Sequence, residues 1–552
     1  MKKSRLAALL GTAGVAAVTL AACGGNSSEG NGSGDGDSKQ VLNVTESAEI
    51  PSMDSVLATD AASFDVMNNV NEGLYRQGPE GKLVLGMAAE EPEVSEDNLT
   101  YTFKIRDDAE WSNGDPVTAG DFVFAWQRLA NPKTASEYSY MIDGVVENAS
   151  DILKGDKEPE ELGIKAVDDK TLEIKLQSAT PYFKDLLTLS MFLPQNEEYV
   201  TEKGNDYASN SDSLLYNGPF IMTNWDGTGL SWSMEKNEDY WDADVVKLDK
   251  INVNVVKETS TALNLYETDK IDRMKLTGEY VQTQQDNPDL KSQATSTVAF
   301  FKLNQEKNGE ETPLANENIR KAISMSFDKE GFAKTILQNG SVPADGIVPE
   351  GLAQDPETDK DFREQNGDLL PFDADKAKDY WEKGLDEIGQ DSVNLEILGD
   401  DTENAKKSGE FMQAQMQTNL PGLTINLTNI PFKARLDKDS KGDYDIQLAL
   451  WGADYADPMN FLELFETNNS NNTASYSNPE YDALIESADK NASDLEARWS
   501  DMQKAEKLLM EEAGVAPIYQ RVFAILEKPT VENYVTHPVG AEVSYKWASV
   551  KK

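Results

Sequence analysis

Several stretches of the chain alternate between apolar and polar side chains with a period of two. The alternation runs through residues 101–106 and again through residues 171–176, and residues 41–44 form a shorter, largely apolar stretch. Successive residues of a strand point to opposite faces of the sheet, so this pattern predicts strands with one buried face. We therefore expect strands in all three stretches.

Other stretches place apolar residues mostly three or four positions apart, which is the spacing of one face of a helix. The positions with this spacing are Ile319, Ile323, Phe327, Phe332, Ile336, Leu495, Trp499, Met502 and Leu509. Gly514 follows the last group and is expected to end its helix. Predicted strands and helices interleave along the chain, which favours an α/β or α+β fold.

The first 38 residues differ in composition from the rest of the chain. Lys2, Lys3 and Arg5 precede an apolar run that ends at Ala22, an order typical of an export signal. The next residue, Cys23, is the only cysteine, and the segment before it resembles a bacterial lipobox. This predicts a lipoprotein signal peptide at 1–22 and a lipidated cysteine with a flexible, polar tether at 23–39. The alternative is an ordinary cleavage site beside a chance cysteine.

Charge and the rarer residues exclude several classes of protein. The formal charge of −47 argues against nucleic-acid binding. One histidine and one cysteine cannot build a His/Cys metal cluster, a disulfide or a Cys-His nucleophile. His537 stands beside Pro538 in a polar stretch, which predicts a solvated surface histidine rather than a member of a catalytic triad. We expect no metal, no cofactor and no catalytic residue.

A motif between residues 101 and 126 is long and specific. It comprises Tyr101 to Arg106, Ala109, Trp111 to Gly114, Pro116 to Ala119, Asp121, Phe122 and Trp126. Thr118 is placed to cap a helix that carries Phe122 and Trp126, so the motif itself is structural. It closely resembles the signature of peptide-type ABC-transporter solute-binding proteins.

Further matches to this family follow in the same order along the chain. They are Asp168 to Leu172, Pro181 to Phe183, Tyr216 to Phe220, Asn237, Tyr240, Trp241, Trp451 to Pro458, Asn471, Asn472, Tyr476, Asn478, Pro479 and Tyr481. The cluster that begins at Trp451 resembles the oligopeptide-binding subgroup. The resemblance covers nearly the whole chain after the tether.

The resemblance implies a two-lobed, three-domain α/β fold of the periplasmic-binding-protein type II class. Lobe I is expected to combine residues 40–82, 216–297 and 526–552. Residues 83–215 are expected to form an additional domain II, and residues 298–525 form lobe II. Ligand would be enclosed between the lobes.

The resemblance also implies an oligopeptide-binding site around Trp451. A buried ammonium needs a carboxylate partner, and we assign Asp454 to the peptide amino terminus; the alternative from spacing alone is a turn cap. Trp451 and Tyr455 are expected to wall the pocket, although Trp451 could be a core residue. Gly452 and Ala453 lie on the strand expected to hydrogen-bond the peptide backbone.

Two further segments are implied to contact the peptide. Val66 and Met67 align with a segment that contacts peptide backbone in relatives, and Phe432 stands where an aromatic pocket residue is expected. Relatives that bind short peptides meet the peptide carboxyl terminus with arginines in the strand leading to the Trp451 motif. Here that stretch carries Asp439 and Leu448, and no clear carboxylate clamp is visible. Without that clamp, we expect longer peptides to be tolerated.

The expected function is peptide capture by a monomeric protein, anchored by lipid to the outer face of the cell membrane. Its partners would be oligopeptides and the permease and ATPase subunits of an ABC importer. A receptor for one signalling peptide would use the same scaffold and remains the main alternative. An extracellular glycosidase would need a pair of carboxylates, which the sequence does not single out. An adhesive or chaperone-like surface protein would bind folded partners.

Overall fold

The computed structural model describes residues 39–180, 182–491 and 494–551. The predicted signal peptide, Cys23 and most of the tether lie outside these residues. Within them, no helix is both long and apolar enough to span a membrane.

Helices occur along the whole described chain, and their bounds follow in order. They are α1 (Ala61–Val70), α2 (Ala119–Ala130), α3 (Ala149–Leu153), α4 (Phe183–Leu186), α5 (Glu197–Lys203), α6 (Thr259–Glu267), α7 (Glu279–Thr283), α8 (Glu317–Met325), α9 (Lys329–Phe332), α10 (Phe362–Asn366), α11 (Ala374–Ile388), α12 (Glu403–Asn419), α13 (Phe432–Asp439), α14 (Met459–Leu462), α15 (Pro479–Lys490) and α16 (Leu495–Glu511).

Strands alternate with the helices. They are β1 (Val41–Glu46), β2 (Tyr75–Gln77), β3 (Leu83–Leu85), β4 (Glu93–Val94), β5 (Thr100–Lys104), β6 (Ile164–Asp168), β7 (Thr171–Lys175), β8 (Phe220–Thr223), β9 (Ser231–Lys236), β10 (Lys250–Val255), β11 (Arg273–Leu276), β12 (Leu290–Leu303), β13 (Glu306–Lys307), β14 (Glu310–Glu311), β15 (Val342–Pro343), β16 (Val393–Asp400), β17 (Leu423–Ile430), β18 (Ile446–Gly452), β19 (Val515–Glu527), β20 (Val531–Glu532), β21 (Val535–Thr536), β22 (Val543–Ser544) and β23 (Ser549–Val550).

The predicted local structure is largely confirmed. The alternating stretches form β1, β5 and β7, and the side chain of Thr118 accepts a hydrogen bond from the Asp121 backbone N–H at the start of α2. In turn, the Asp121 carboxylate accepts a hydrogen bond from the Thr118 backbone N–H, which completes a capping box. One detail is wrong: Leu495 was expected to face the core, but it is 49 % exposed because it is the first residue of α16.

Eleven of the strands belong to one large mixed sheet. Its order is β17-β16-β18-β12-β19-β11-β1-β10-β9-β8, with β15 paired to β19. A separate antiparallel sheet has the order β4-β5-β7-β6, and α2 packs against it. The interleaved helices and the mixed sheet confirm the predicted α/β class.

Buried apolar residues gather in three clusters. The first spans residues from Leu42 to Val253, with a few later additions, and the second spans Val298 to Tyr519. A third, small cluster contains residues between Ala262 and Val281 together with Ala524 and Leu526. The expected domain boundaries stay a prediction.

Two long strands, β12 and β19, pair antiparallel and run from the third cluster into the second. Leu290 of β12 packs on the third cluster, whereas residues from Val298 onward belong to the second. We call this pair the ribbon. Its regular pairing is interrupted between Ala294 and Val298, so the backbone of residues 295–297 bulges out of register. The bulge lies beside the cavity described next.

Candidate functional site

A cavity of about 380 Å³ lies between segments of the first and second clusters. Its wall on one side is built from the end of β1, the start of α1 and Tyr138. On the other side the wall is built from β18 and the segment after it, together with residues of α12 and α13. The ribbon bulge and residues 537–542 close it. The cavity is therefore lined by segments that are far apart in the chain.

The last half of β18 presents a free backbone edge to this cavity. β18 pairs with β12 over its length, but on its other side β16 reaches only Ile446 and Gln447. In the part of the chain that the structure describes, no strand pairs with residues 448–452 on that side. Leu448, Leu450 and Trp451 line the cavity here. Unpaired N–H and C=O groups of this kind can accept an added strand.

Asp454 lies just beyond this free edge and lines the cavity. Its residue is 6 % exposed, and its backbone N–H donates to Asn460 Oδ1 at 2.8 Å. The Asn460 amide approaches Asp454 Oδ2 at 3.5 Å. Among the described residues, Asp454 forms no salt bridge, and its carboxylate accepts no backbone hydrogen bond, so the turn-cap alternative does not hold.

Burial without a cation changes the acidity of Asp454. Desolvation raises the pKa of its carboxyl to about 7, while hydrogen bonding from Asn460 and Tyr138 opposes the shift. A buried carboxylate is costly until a cation or further hydrogen bonds compensate it. The site can therefore bind a cation such as an ammonium group.

Trp451 lines the same cavity as Asp454 and packs against another aromatic residue of the wall. Its ring stacks on Tyr138 with centroids 6.2 Å apart and an interplanar angle of 13°. Its indole N–H donates to Asn460 Oδ1 at 3.2 Å, so Asn460 orients both Trp451 and Asp454. Trp451 is only partly buried and lines the cavity; its role as a wall of a peptide pocket stays a prediction.

The other residues expected in the site divide into two groups. Gly452, Ala453 and Phe432 line the cavity together with Trp451 and Asp454. Tyr455, 4 % exposed, lies outside the cavity wall. Its ring stacks on Tyr182 at 5.0 Å, and its hydroxyl donates to Glu463 at 3.0 Å.

Val66 and Met67 also lie outside the cavity wall. They belong to α1 and are 4 % and 1 % exposed within the first apolar cluster. The same helix does reach the cavity, but through Asp60, Phe64 and Asp65 near its start. A role for Val66, Met67 or Tyr455 in binding stays a prediction.

His537 corrects the prediction of a solvated surface histidine. It is 3 % exposed and lines the cavity, because the backbone after β21 folds back against Ala453 and Ser296. Burial lowers the pKa of its imidazole to about 4, and the neighbouring Arg76 acts in the same direction. Neither ring nitrogen has a hydrogen-bond partner among the described residues. Local polarity suggested exposure, whereas tertiary packing buries the ring.

The four basic residues of the cavity wall each have a carboxylate partner. Lys257 pairs with Asp401 at 2.6 Å, Arg435 with Asp400 at 2.7 Å, and Lys275 and Arg521 share Glu542.

Asp439 and Leu448, which lie in the stretch leading to Trp451, differ in their surroundings. Asp439 ends α13 and pairs with Lys302 at 3.0 Å, outside the cavity wall, whereas Leu448 lines the cavity. No strong anion-binding group stands at either position. Within the described residues, no group of three or more His, Cys, Asp or Glu side chains could hold a metal ion.

Several residues of the cavity wall or its support were not predicted from the sequence. Tyr138 and Asp60 were not singled out because they come from distant segments. Asn460 could have been found from the sequence, because it is a lone polar residue between apolar neighbours in α14. The structure shows that it is fully buried. A polar residue at such a position usually serves a buried hydrogen-bond network.

Comparison with known proteins places the chain in a family. A family model described as "Bacterial extracellular solute-binding proteins, family 5 Middle" matches residues 82–473. A dipeptide-binding protein of Lactococcus lactis is 33 % identical over 564 residues, covering 100 % of both chains.

Solved structures resemble the chain over most of its length. Listeria monocytogenes OppA bound to peptide is 46 % identical with a TM-score of 0.91, covering 93 % of this chain and 100 % of that one. The pheromone receptor PrgZ is 39 % identical with a TM-score of 0.89, with coverage of 93 % and 100 %. These likenesses confirm the predicted type II binding-protein fold and identify a binding protein rather than an enzyme. The chain belongs to the bacterial extracellular solute-binding proteins of family 5.

Proposed function

We propose that this protein captures oligopeptides in the cavity beside Asp454 and delivers them to the permease of an ABC importer. The observation that carries the proposal is a buried carboxylate, without a cation partner in the described part of the chain, at the end of a free strand edge. An extended peptide would meet both features at once. The similarity to Listeria monocytogenes OppA, a structure with bound peptide, supports this choice of ligand.

In this proposal the peptide backbone pairs with residues 448–452 of β18. Main-chain hydrogen bonds give affinity to any sequence, because every peptide offers the same N–H and C=O groups. Asp454 meets the amino terminus, and Trp451 with Tyr138 excludes water from the ion pair. The peptide thereby contacts segments of both large apolar clusters, and we propose that these segments close around it as two lobes.

The alternative function is reception of one signalling peptide. The similarity to the pheromone receptor PrgZ supports this alternative. The two functions share a scaffold and differ in selectivity. General uptake requires that many sequences bind with similar affinity. Reception requires that one sequence binds far more tightly than its scrambled versions.

We also propose that the protein acts as a monomer held on the outer face of the membrane by lipid on Cys23. The sequence before and after Cys23 supports this. At least two acyl chains give stable anchoring, whereas one gives only marginal binding. Mass spectrometry of the cell-derived protein tests it: a diacylated N-terminal Cys23 is expected, and a free thiol at this position contradicts the proposal.

The function itself is tested by calorimetry on protein that has been unfolded and refolded to remove bound peptide. The titrants are peptides of two to fifteen residues, each with a free or an acetylated amino terminus. Tight binding of many free-amine peptides, weakened by acetylation, is expected. Binding of one sequence alone supports signal reception, and absence of binding across the set contradicts peptide capture.

A further inference from the structure

A group of five charged residues forms a second polar region of the cavity wall, which we call the Asp65 cluster. It consists of Glu46, Asp65, Lys275, Arg521 and Glu542, all of which line the cavity. Lys275 Nζ lies 3.3 Å from Glu46 and 3.6 Å from Glu542, and Arg521 also pairs with Glu542. Three acids face two bases, so the cluster contains one carboxylate more than its cations can neutralise.

Asp65 is the member without a cation of its own. Its Oδ1 accepts a hydrogen bond from the Glu542 backbone N–H at 2.6 Å, and it forms no salt bridge among the described residues. Burial raises the pKa of Asp65 well above its ordinary value, and the neighbouring Glu542 and Glu46 add to the shift. By contrast Arg521 and Lys275 lower the pKa of Glu542 despite its burial. Asp65 is therefore the carboxyl of the cluster whose ionised form is least compensated by cations.

His537 is a second, independent sign that this region takes a ligand. Its ring lines the same cavity, and both ring nitrogens are buried without a partner in the described part of the chain. The backbone N–H of His537 donates to the Glu542 carbonyl at 3.0 Å, so one short turn carries His537 and the residue bonded to Asp65. A neutral imidazole offers one acceptor nitrogen. An N–H donor from a ligand would satisfy it.

We propose that the Asp65 cluster and His537 form a subsite for a basic side chain, lysine or arginine, of the bound peptide. The inference rests on the proposed function and names the peptides that the cavity prefers. A lysine ammonium would supply the missing positive charge and N–H donors. An uncharged side chain leaves Asp65 uncompensated, and an acidic side chain adds a second excess charge.

The surrounding wall suits the stem of such a side chain. Phe523 lines the cavity and already lies under Lys275 Nζ at 4.5 Å and Arg521 at 4.3 Å from its ring centroid. Long basic side chains bury their methylene stems against apolar surface while the charged end meets polar groups. Aromatic faces also attract cations directly.

The test compares pentapeptides of alanine that carry one guest residue at position two, three, four or five. The guests are lysine, norleucine and glutamate, so norleucine keeps the stem and removes the charge. At one position lysine is expected to bind about tenfold more tightly than norleucine, the effect of one partly desolvated ion pair, and glutamate more weakly than both. Equal affinity of the lysine and norleucine peptides at every position overturns the subsite.

Variants of single carboxylates locate the preference. Asp65→Asn keeps an acceptor for the Glu542 N–H and removes the charge, so it is expected to reduce the lysine preference to less than about threefold. Asp269→Asn is the control, because Asp269 pairs with Lys528, is largely exposed and does not line the cavity. It is expected to keep the preference. A preference retained in Asp65→Asn overturns the assignment.

The single histidine gives a readout that does not depend on variants. The lysine peptide is expected to shift the His537 imidazole resonance more than the norleucine peptide does, and equal shifts contradict the role of His537.

The subsite and the proposed function would be contradicted by different results. If all the peptides bind equally, the subsite is wrong and peptide capture stands; if none binds, peptide capture itself is wrong.

Discussion

Two buried carboxylates of this protein, Glu72 and Asp454, have opposite surroundings. Glu72 is 1 % exposed and pairs with Arg76 at 2.8 Å, and it accepts hydrogen bonds from Tyr240 and Trp241, each at 2.6 Å. Lys546 adds a second positive charge at 3.9 Å. Asp454 has no cation partner among the described residues and meets a cavity instead of a set of donors.

The pKa directions follow this difference. Burial alone would raise both, but Arg76, Lys546 and the two hydrogen bonds bring the pKa of Glu72 below its ordinary value. Burial raises the pKa of Asp454 to about 7 because its hydrogen bonds are too weak to compensate. A fully partnered buried charge holds the fold together, whereas an incompletely partnered one is available to a ligand.

The largest expected effect comes from breaking the partnered site. Glu72→Gln leaves Arg76 buried without its counter-charge, and we expect a loss of about 3–5 kcal/mol in the free energy of unfolding, measured by urea titration. Glu91→Gln is the control, because Glu91 pairs with Lys184 on an exposed surface and such pairs contribute about 1 kcal/mol or less. A similar small loss in both variants would contradict the comparison.

Removing the charge of Asp454 should affect binding and not stability. Asp454→Asn is expected to weaken free-amine peptides by about a hundredfold, since a desolvated ion pair is lost, while acetylated peptides keep their affinity. Calorimetry measures both. The urea midpoint of this variant should stay equal to that of the original protein or rise. A parallel loss for acetylated peptides would show that Asp454 does not meet the amine.

The pH dependence of peptide affinity provides a third test. Peptide binding needs ionised Asp454, so below pH 7 affinity should fall by about tenfold per pH unit. Above roughly pH 8 it should fall again as the peptide amine, with a pKa of roughly 7.7–8.0, loses its proton. Calorimetry across pH 5–9 should give a bell for free-amine peptides and a flat profile for acetylated ones.

The stability contributions of Asp454 and Glu72 should depend on pH with opposite signs. The folded-state pKa of Asp454 lies above its unfolded value, so its contribution disfavours folding as pH rises from about 4 to 7. The folded-state pKa of Glu72 lies below its unfolded value, so ionised Glu72 stabilises the fold at any pH above the unfolded pKa. This stabilisation is lost as the pH falls through the folded-state pKa. Urea midpoints of Asp454→Asn and Glu72→Gln against pH should therefore diverge from the original protein in opposite directions.

The smallest expected effect on peptide affinity comes from removing the hydroxyl of Tyr138, which hydrogen-bonds Asp454. Tyr138→Phe keeps the stack on Trp451 and removes the hydroxyl, so affinity should fall by a factor that corresponds to about 1 kcal/mol. Because hydrogen bonding from Tyr138 lowers the pKa of Asp454, the acidic limb of the pH profile should also move to higher pH. If the acidic limb of the pH profile does not move in Tyr138→Phe, Tyr138 does not hydrogen-bond Asp454 as proposed.

Much of this molecule could be predicted from local patterns. The strands β5 and β7 and the cap of α2 followed from periodicity and from one threonine, because short-range geometry decides them. The assignment of Asp454 to the peptide amino terminus came from the resemblance to the solute-binding family, not from a local pattern. Burial of His537 and the approach of Tyr138 to Trp451 depend on segments far apart in the chain, and no local pattern records such packing.

The ribbon has a consequence for how the gene can be divided. β19 pairs with β11 at one end and with β12 along most of its length, and β12 also carries β18. A fragment cut near residue 300 would therefore lose strands from the middle of the large sheet, not from its edge. Neither half could be exchanged with a homologue as a cassette, so recombinants should keep β12 and β19 from one parent.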